Sequence, residues 1–92
     1  MELLEYTIKL MCSEDYKERF KAEYWQTKIR FEKLRAMIMK YEEGTLEFEP
    51  TCDIELLVYQ AIKMYDYLVI LEERAEIEGI DLIGGIELKS ED

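Results

Sequence analysis

Residues 51–78 read TCDIELLVYQAIKMYDYLVILEERAEIE, and this stretch decides the fold. Ile54, Leu57, Ala61, Met64, Leu68, Leu71 and Ala75 recur at alternating spacings of 3 and 4. That is the period of one face of an α-helix; a half-buried strand would bury every second residue instead. Thr51 or Asp53 supplies an N-cap just after Pro50, and Gly79 stops the segment. A second apolar row, Val58, Ile62, Tyr65 and Val69, runs beside the first, and Leu56, Tyr59, Tyr67 and Ile70 widen it. One neighbouring helix covers about a third of such a circumference. Either further copies of the chain or its own two ends must cover the rest. Self-association is the reading taken here, with Val58, Ile62, Tyr65 and Val69 as the candidate oligomer interface.

Working outward, residues 44–50 (GTLEFEP) form a short connector between two stretches free of Pro and Gly. The upstream stretch, 13–43, carries Tyr16, Phe20, Tyr24, Thr27, Phe31, Leu34, Ile38 and Tyr41 at spacings of 3 and 4, again helical. Ser13 can cap it, Glu14 and Asp15 face the positive end of its dipole, and Gly44 can close it in the left-handed conformation. So short a connector folds two helices back antiparallel. The expected architecture is one all-α domain over 1–92. It has an N-terminal extension (1–12), a first helix (13–43), the connector (44–50), a second helix (51–78) and a tail (79–92), and it oligomerises into a bundle.

The ends carry two readings each. Leu4, Tyr6, Ile8 and Leu10 alternate with polar residues as a strand would, whereas Leu4, Ile8 and Met11 also fit a helix. Residues 80–83, then Gly84-Gly85, then 86–89 have the form of a tight β-hairpin, so small β elements at the termini stand beside a mobile tail.

Composition removes whole classes of function. The 92 residues contain no His, which takes away the commonest general base, the catalytic triads and most zinc sites. Glu42-Glu43 and Glu72-Glu73 read as solvated helix faces, because a bundle di-iron site wants Glu-x-x-His. Neither a calcium loop nor a Gly-rich phosphate loop is present. No enzyme, no cofactor and no metal are expected. A net charge of -10 argues against a nonspecific nucleic-acid coat or a polybasic membrane anchor. No apolar run approaches the ~20 residues that span a bilayer, and Met1-Glu2-Leu3-Leu4-Glu5 lacks the basic start of a secretory signal. Cys12 and Cys52 fall at opposite ends of the expected hairpin, beyond the ~7 Å Cα separation of a disulfide. Free thiols fit a reducing cytoplasm.

Charge is unevenly placed. Residues 13–43 hold eight of the 12 basic residues and seven acids, a net +1, which leaves -11 for the remainder. Lys17, Lys21, Trp25 and Lys28 share one stripe, with Tyr24 and Arg30 on neighbouring ones. An exposed indole among ammonium groups can stack a base while the cations pair phosphates. The competing reading makes Trp25 a packing anchor with the lysine stems lying over it. These six residues are the candidate ligand site.

The stretch KERFKAEYWQTKIRFEKL (17–34), then MIMKYEEGTLEFEP (37–50), ELL at 55–57, Gln60, Met64, Tyr67-Leu68 and LEERAEIEGIDL (71–82) resembles a family of small helical proteins of phages and prophages, named after a reading frame of a crAss-like phage. The resemblance covers about residues 13–82. It implies that 1–12 and 83–92 are extensions and makes Met11 a candidate alternative start. A looser similarity links the chain to the helical-hairpin sponges that capture nucleotide signals of the CBASS and Thoeris defence systems at protomer interfaces. The function this implies is a non-enzymatic, oligomeric phage anti-defence protein in the host cytoplasm that sequesters a cyclic nucleotide or an ADP-ribose-type signal. Two alternatives stand beside it. One is an acidic inhibitor of a host defence nuclease or DNA-binding protein; the other is a structural oligomeric phage protein.

Overall fold

The computed structural model describes residues 2–83. Helix α1 spans Glu2–Met11, α2 Tyr16–Glu43 and α3 Ile54–Glu78, and no strand occurs among the described residues. The molecule is a rod about 42 Å long.

The long helices start and stop where backbone groups find substitutes for the missing intrahelical partners. Asp15, rather than Ser13, is the N-cap of α2: its Oδ1 accepts from the Lys17 amide at 2.9 Å. Ser13 supports the turn instead, its Oγ accepting from the Asp15 amide at 2.9 Å. Asp53 caps α3 in the same way, accepting from the Glu55 amide at 3.3 Å. Gly44 and Gly79 close the two helices at φ 79° and 72°, in the left-handed region where a Cβ is strained.

Contacts between α2 and α3 pair residues in opposite order along the chain. Tyr16 meets Glu78, Tyr24 meets Glu72, and the Phe31 and Tyr65 rings lie 6.0 Å apart. The two helices therefore run side by side with opposite polarity. Their core is concentrated towards one end, in a cluster of Phe20, Tyr24, Trp25, Leu68, Leu71, Ala75 and Ile80, with Tyr6, Phe31 and Leu82 packed against it.

The N-terminus corrects the strand reading. In a strand Ile8 would share a buried face with Tyr6 and Leu10. Here Ile8 is 57 % exposed while the polar Thr7 is wholly buried. Thr7 is tolerated there because its hydroxyl accepts from Gln26 Nε2 at 3.2 Å. With no strand among the described residues to pair with, a helix satisfies the backbone internally. Residues 80–83 likewise form no strand. The rest of the expected β-hairpin, residues 84–89, lies outside the described residues.

Helix α1 packs on α2, not on α3. Leu56, Tyr59, Ile62, Tyr65, Tyr67, Ile70 and Ile77 of α3 consequently stay exposed among the described residues. Both cysteines are free and exposed. No helix among the described residues is long and apolar enough to cross a membrane.

Candidate functional site

The six residues of the candidate ligand site do not converge. Trp25 is only 7 % exposed and faces inward. Its Nε1 donates to the Leu82 carbonyl at 2.9 Å, and its ring meets Tyr24 edge-on at 5.2 Å. The indole is a packing anchor held by the C-terminal segment of its own chain, and the exposed stacking platform is not what the fold presents. The cause is a tertiary one: residues 80–82 and α1 reach α2 from outside the helix period that suggested the stripe. Tyr24 is buried as well, its hydroxyl donating to Glu72 Oε2 at 2.6 Å. Burial, and then that carboxylate, push the Tyr24 phenol well above its ordinary value.

The cations are distributed along α2. Lys17 is exposed beside the N-cap, and Lys21 is half-buried. Lys28 lies 3.8 Å from Glu32. Lys17 and Lys28 are eleven positions apart, about 16 Å along the axis. Arg30 stands away from this row, on the seam between α2 and α3.

Two grooves flank that seam in the half of the rod away from the core. One, of about 310 Å³, is lined by Phe31, Arg35, Ile38 and Met39 of α2 and by Val58, Ala61, Ile62 and Tyr65 of α3. It is almost wholly apolar, and it contains three of the four residues expected at an oligomer interface; Val69 is not among its lining residues. The other, of about 340 Å³, is lined by Thr27, Arg30, Leu34, Gln60 and Met64. It combines a guanidinium, an amide and a hydroxyl with an apolar floor, the composition of a site for a small polar ligand.

Of this second groove the sequence-based site contains only Arg30. Thr27 and Gln60 carried a readable signal, since each is a polar residue set among the apolar residues of a long helix. No group of acidic or cysteine side chains suited to a metal ion occurs among the described residues.

At the opposite end a polar network ties the helices together. Tyr16 donates to Glu78 Oε1 at 3.0 Å, and Arg74 donates both to Glu78 Oε2 at 3.0 Å and to the Tyr16 hydroxyl. The Arg74 guanidinium also lies over the Phe20 ring, 4.9 Å from its centroid. Arg74 and the Tyr16 hydroxyl hold the Glu78 carboxyl below its usual range. Tyr67 donates to Glu23 in the same cross-helix manner. These groups are spent on one another and form a clasp rather than a site.

A family model described as Sequestin matches residues 14–77, which span both long helices. The chain belongs to the Sequestin family. No curated protein and no solved structure matches it.

Proposed function

We propose that this chain is a non-enzymatic sponge that binds a cyclic nucleotide or ADP-ribose-type immune signal stoichiometrically and so withholds it from a host receptor. Family membership over residues 14–77 carries the reading, since the family's name denotes sequestering. Two physical features support the ligand class. The chain is acidic overall at -10, yet its basic residues concentrate on α2, where an anionic ligand would find them. A sponge also needs only affinity, in keeping with a sequence that lacks His altogether.

The same reading extends to assembly and setting. The apolar face of α3 that stays exposed among the described residues is the surface on which copies of the chain would join into a helical bundle, with Val58, Ile62 and Tyr65 in the joint. Burying that face supplies the second half of a core that a lone pair of long helices does not provide. The setting is the cytoplasm of a phage-infected bacterium.

Thermal-shift measurements against cyclic di- and trinucleotides and ADP-ribose derivatives test this. A ligand at about 100 times its Kd stabilises the native state by about 2.7 kcal/mol. For a domain of this size that raises Tm by on the order of 10 °C. An unchanged melting point across the whole panel would refute the reading.

A further inference from the structure

We propose that the groove lined by Thr27, Arg30, Leu34, Gln60 and Met64 is the subsite that holds a phosphate-bearing nucleoside, with Arg30 on the phosphate and Gln60 on the edge of the base. The inference rests on the sponge reading and locates it on side chains.

The arginines single out this groove. Arg19 donates to the Ser13 carbonyl at 2.9 Å, Arg35 pairs with Glu32 at 3.3 Å, and Arg74 pairs with Glu78 at 3.0 Å. Arg30 alone among them has no hydrogen bond or ion pair among the described residues, and it is exposed. A guanidinium presents five donors in a planar fork that matches two phosphate oxygens at once. No carboxylate lines the groove. One turn before Thr27, Glu23 accepts from Tyr67 and is occupied across the helix pair.

The remaining lining suits a base. Gln60 spends its amide nitrogen on a weak 3.8 Å contact with the Met64 sulfur, and its carbonyl oxygen has no partner among the described residues. A carboxamide offers a donor and an acceptor side by side, the pattern of a purine edge. Leu34 and the polarisable Met64 give a ring an apolar surface, and Thr27 adds a hydroxyl for a sugar or a second phosphate oxygen. The volume of about 340 Å³ falls within the range of small-molecule sites. Because Thr27, Arg30 and Leu34 come from α2 and Gln60 and Met64 from α3, a ligand seated there bridges both helices. The apolar groove on the other side of the seam has no comparable set, since its one cation, Arg35, is paired with Glu32.

Calorimetric titration of the full chain with cyclic di-AMP, cyclic di-GMP and ADP-ribose tests the assignment, alongside Arg30→Ala, Arg30→Lys, Gln60→Leu and a control, Lys9→Ala, on the exposed side of α1. Arg30→Ala should weaken binding about 10- to 100-fold, the range for losing hydrogen bonds to a charged group. Arg30→Lys should recover part of the loss, Gln60→Leu should cost about tenfold, and the lysine control should change affinity less than threefold. The Met64 methyl signal and the Thr27 and Gln60 amide signals should move on ligand addition. Wild-type affinity in Arg30→Ala, or signals that move around Trp25 instead, overturns the groove and leaves the sponge reading standing. Absence of binding to all three probes by the wild type overturns the groove together with the sponge reading.

Discussion

The two ends of the rod are built to different standards. Where α1, the start of α2, the end of α3 and residues 80–82 meet, seven side chains form one buried cluster, tied down by the Trp25–Leu82 and Tyr24–Glu72 hydrogen bonds. At the other end, between residues 26 and 67, Ile38 is the one buried side chain among the described residues. Met39, Tyr41, Phe48, Leu56, Tyr59, Ile62 and Tyr65 are exposed there, and both seam grooves lie in that half. The same pair of helices thus has an anchored end, which supplies stability, and an open end, which presents surface. Exposed apolar side chains in such number set the open end apart as the surface on which the proposed assembly is tested.

A matched pair of truncations should produce the largest contrast. Leu71, 1 % exposed in the anchored end, should lose about 2–5 kcal/mol on Leu71→Ala, read from urea unfolding. Ile62, 51 % exposed in the open end, should lose under about 1 kcal/mol on Ile62→Ala in dilute protein. The Ile62 penalty should grow with protein concentration if copies associate through that face. Equal penalties at every concentration would erase the distinction between the ends.

Trp25→Phe gives a smaller effect and isolates the clasp between α2 and the C-terminal segment. It keeps an aromatic ring but removes the donor to Leu82, which should cost about 1–2 kcal/mol. Because Trp25 is the chain's one tryptophan, wild-type emission reports on this end alone. It should be blue-shifted and poorly quenched by acrylamide, and freely quenched indole would contradict the anchored end.

Tyr24→Phe should cost about 1 kcal/mol near neutral pH, and its clearer signature lies in alkali. Burial and Glu72 raise the folded-state pKa of Tyr24 above its ordinary 10.0, so the unfolded chain releases that proton first. The stabilising contribution is fully present below pH 10.0 and is lost as pH rises towards the folded-state value. Wild type should lose stability over that window more steeply than Tyr24→Phe in pH-dependent urea melts. Parallel curves would mean that Tyr24 is not held in a buried pair.

Much of the fold was legible because it is local. The spacings from Tyr16 to Tyr41 and from Ile54 to Ala75 mark both long helices, and Gly44 and Gly79 close them as expected. The choice of caps was less so: Ser13, Asp15, Thr51 and Asp53 are all competent, and Asp took the role at both starts. The candidate site was legible only in Arg30. Periodicity places a residue on a stripe of its own helix but carries no information about which other segment lies over that stripe. Lys17, Lys21, Trp25 and Lys28 share a row, yet Trp25 is closed off by Leu82, fifty-seven residues away in the chain.

From its residues alone this chain determined that it would be helical, where its long helices end, that its thiols would not meet, and that one helix would carry more apolar surface than a single neighbour can cover. Those properties follow from dihedral preference, capping and the 3.6-residue period, all of which act within a few positions. Only the tertiary structure decided that the N-terminus coils rather than extends, that the indole points into the protein, and that Arg30 shares a groove with Gln60. Each of these depends on contacts between segments tens of residues apart, whose free energy no local pattern records.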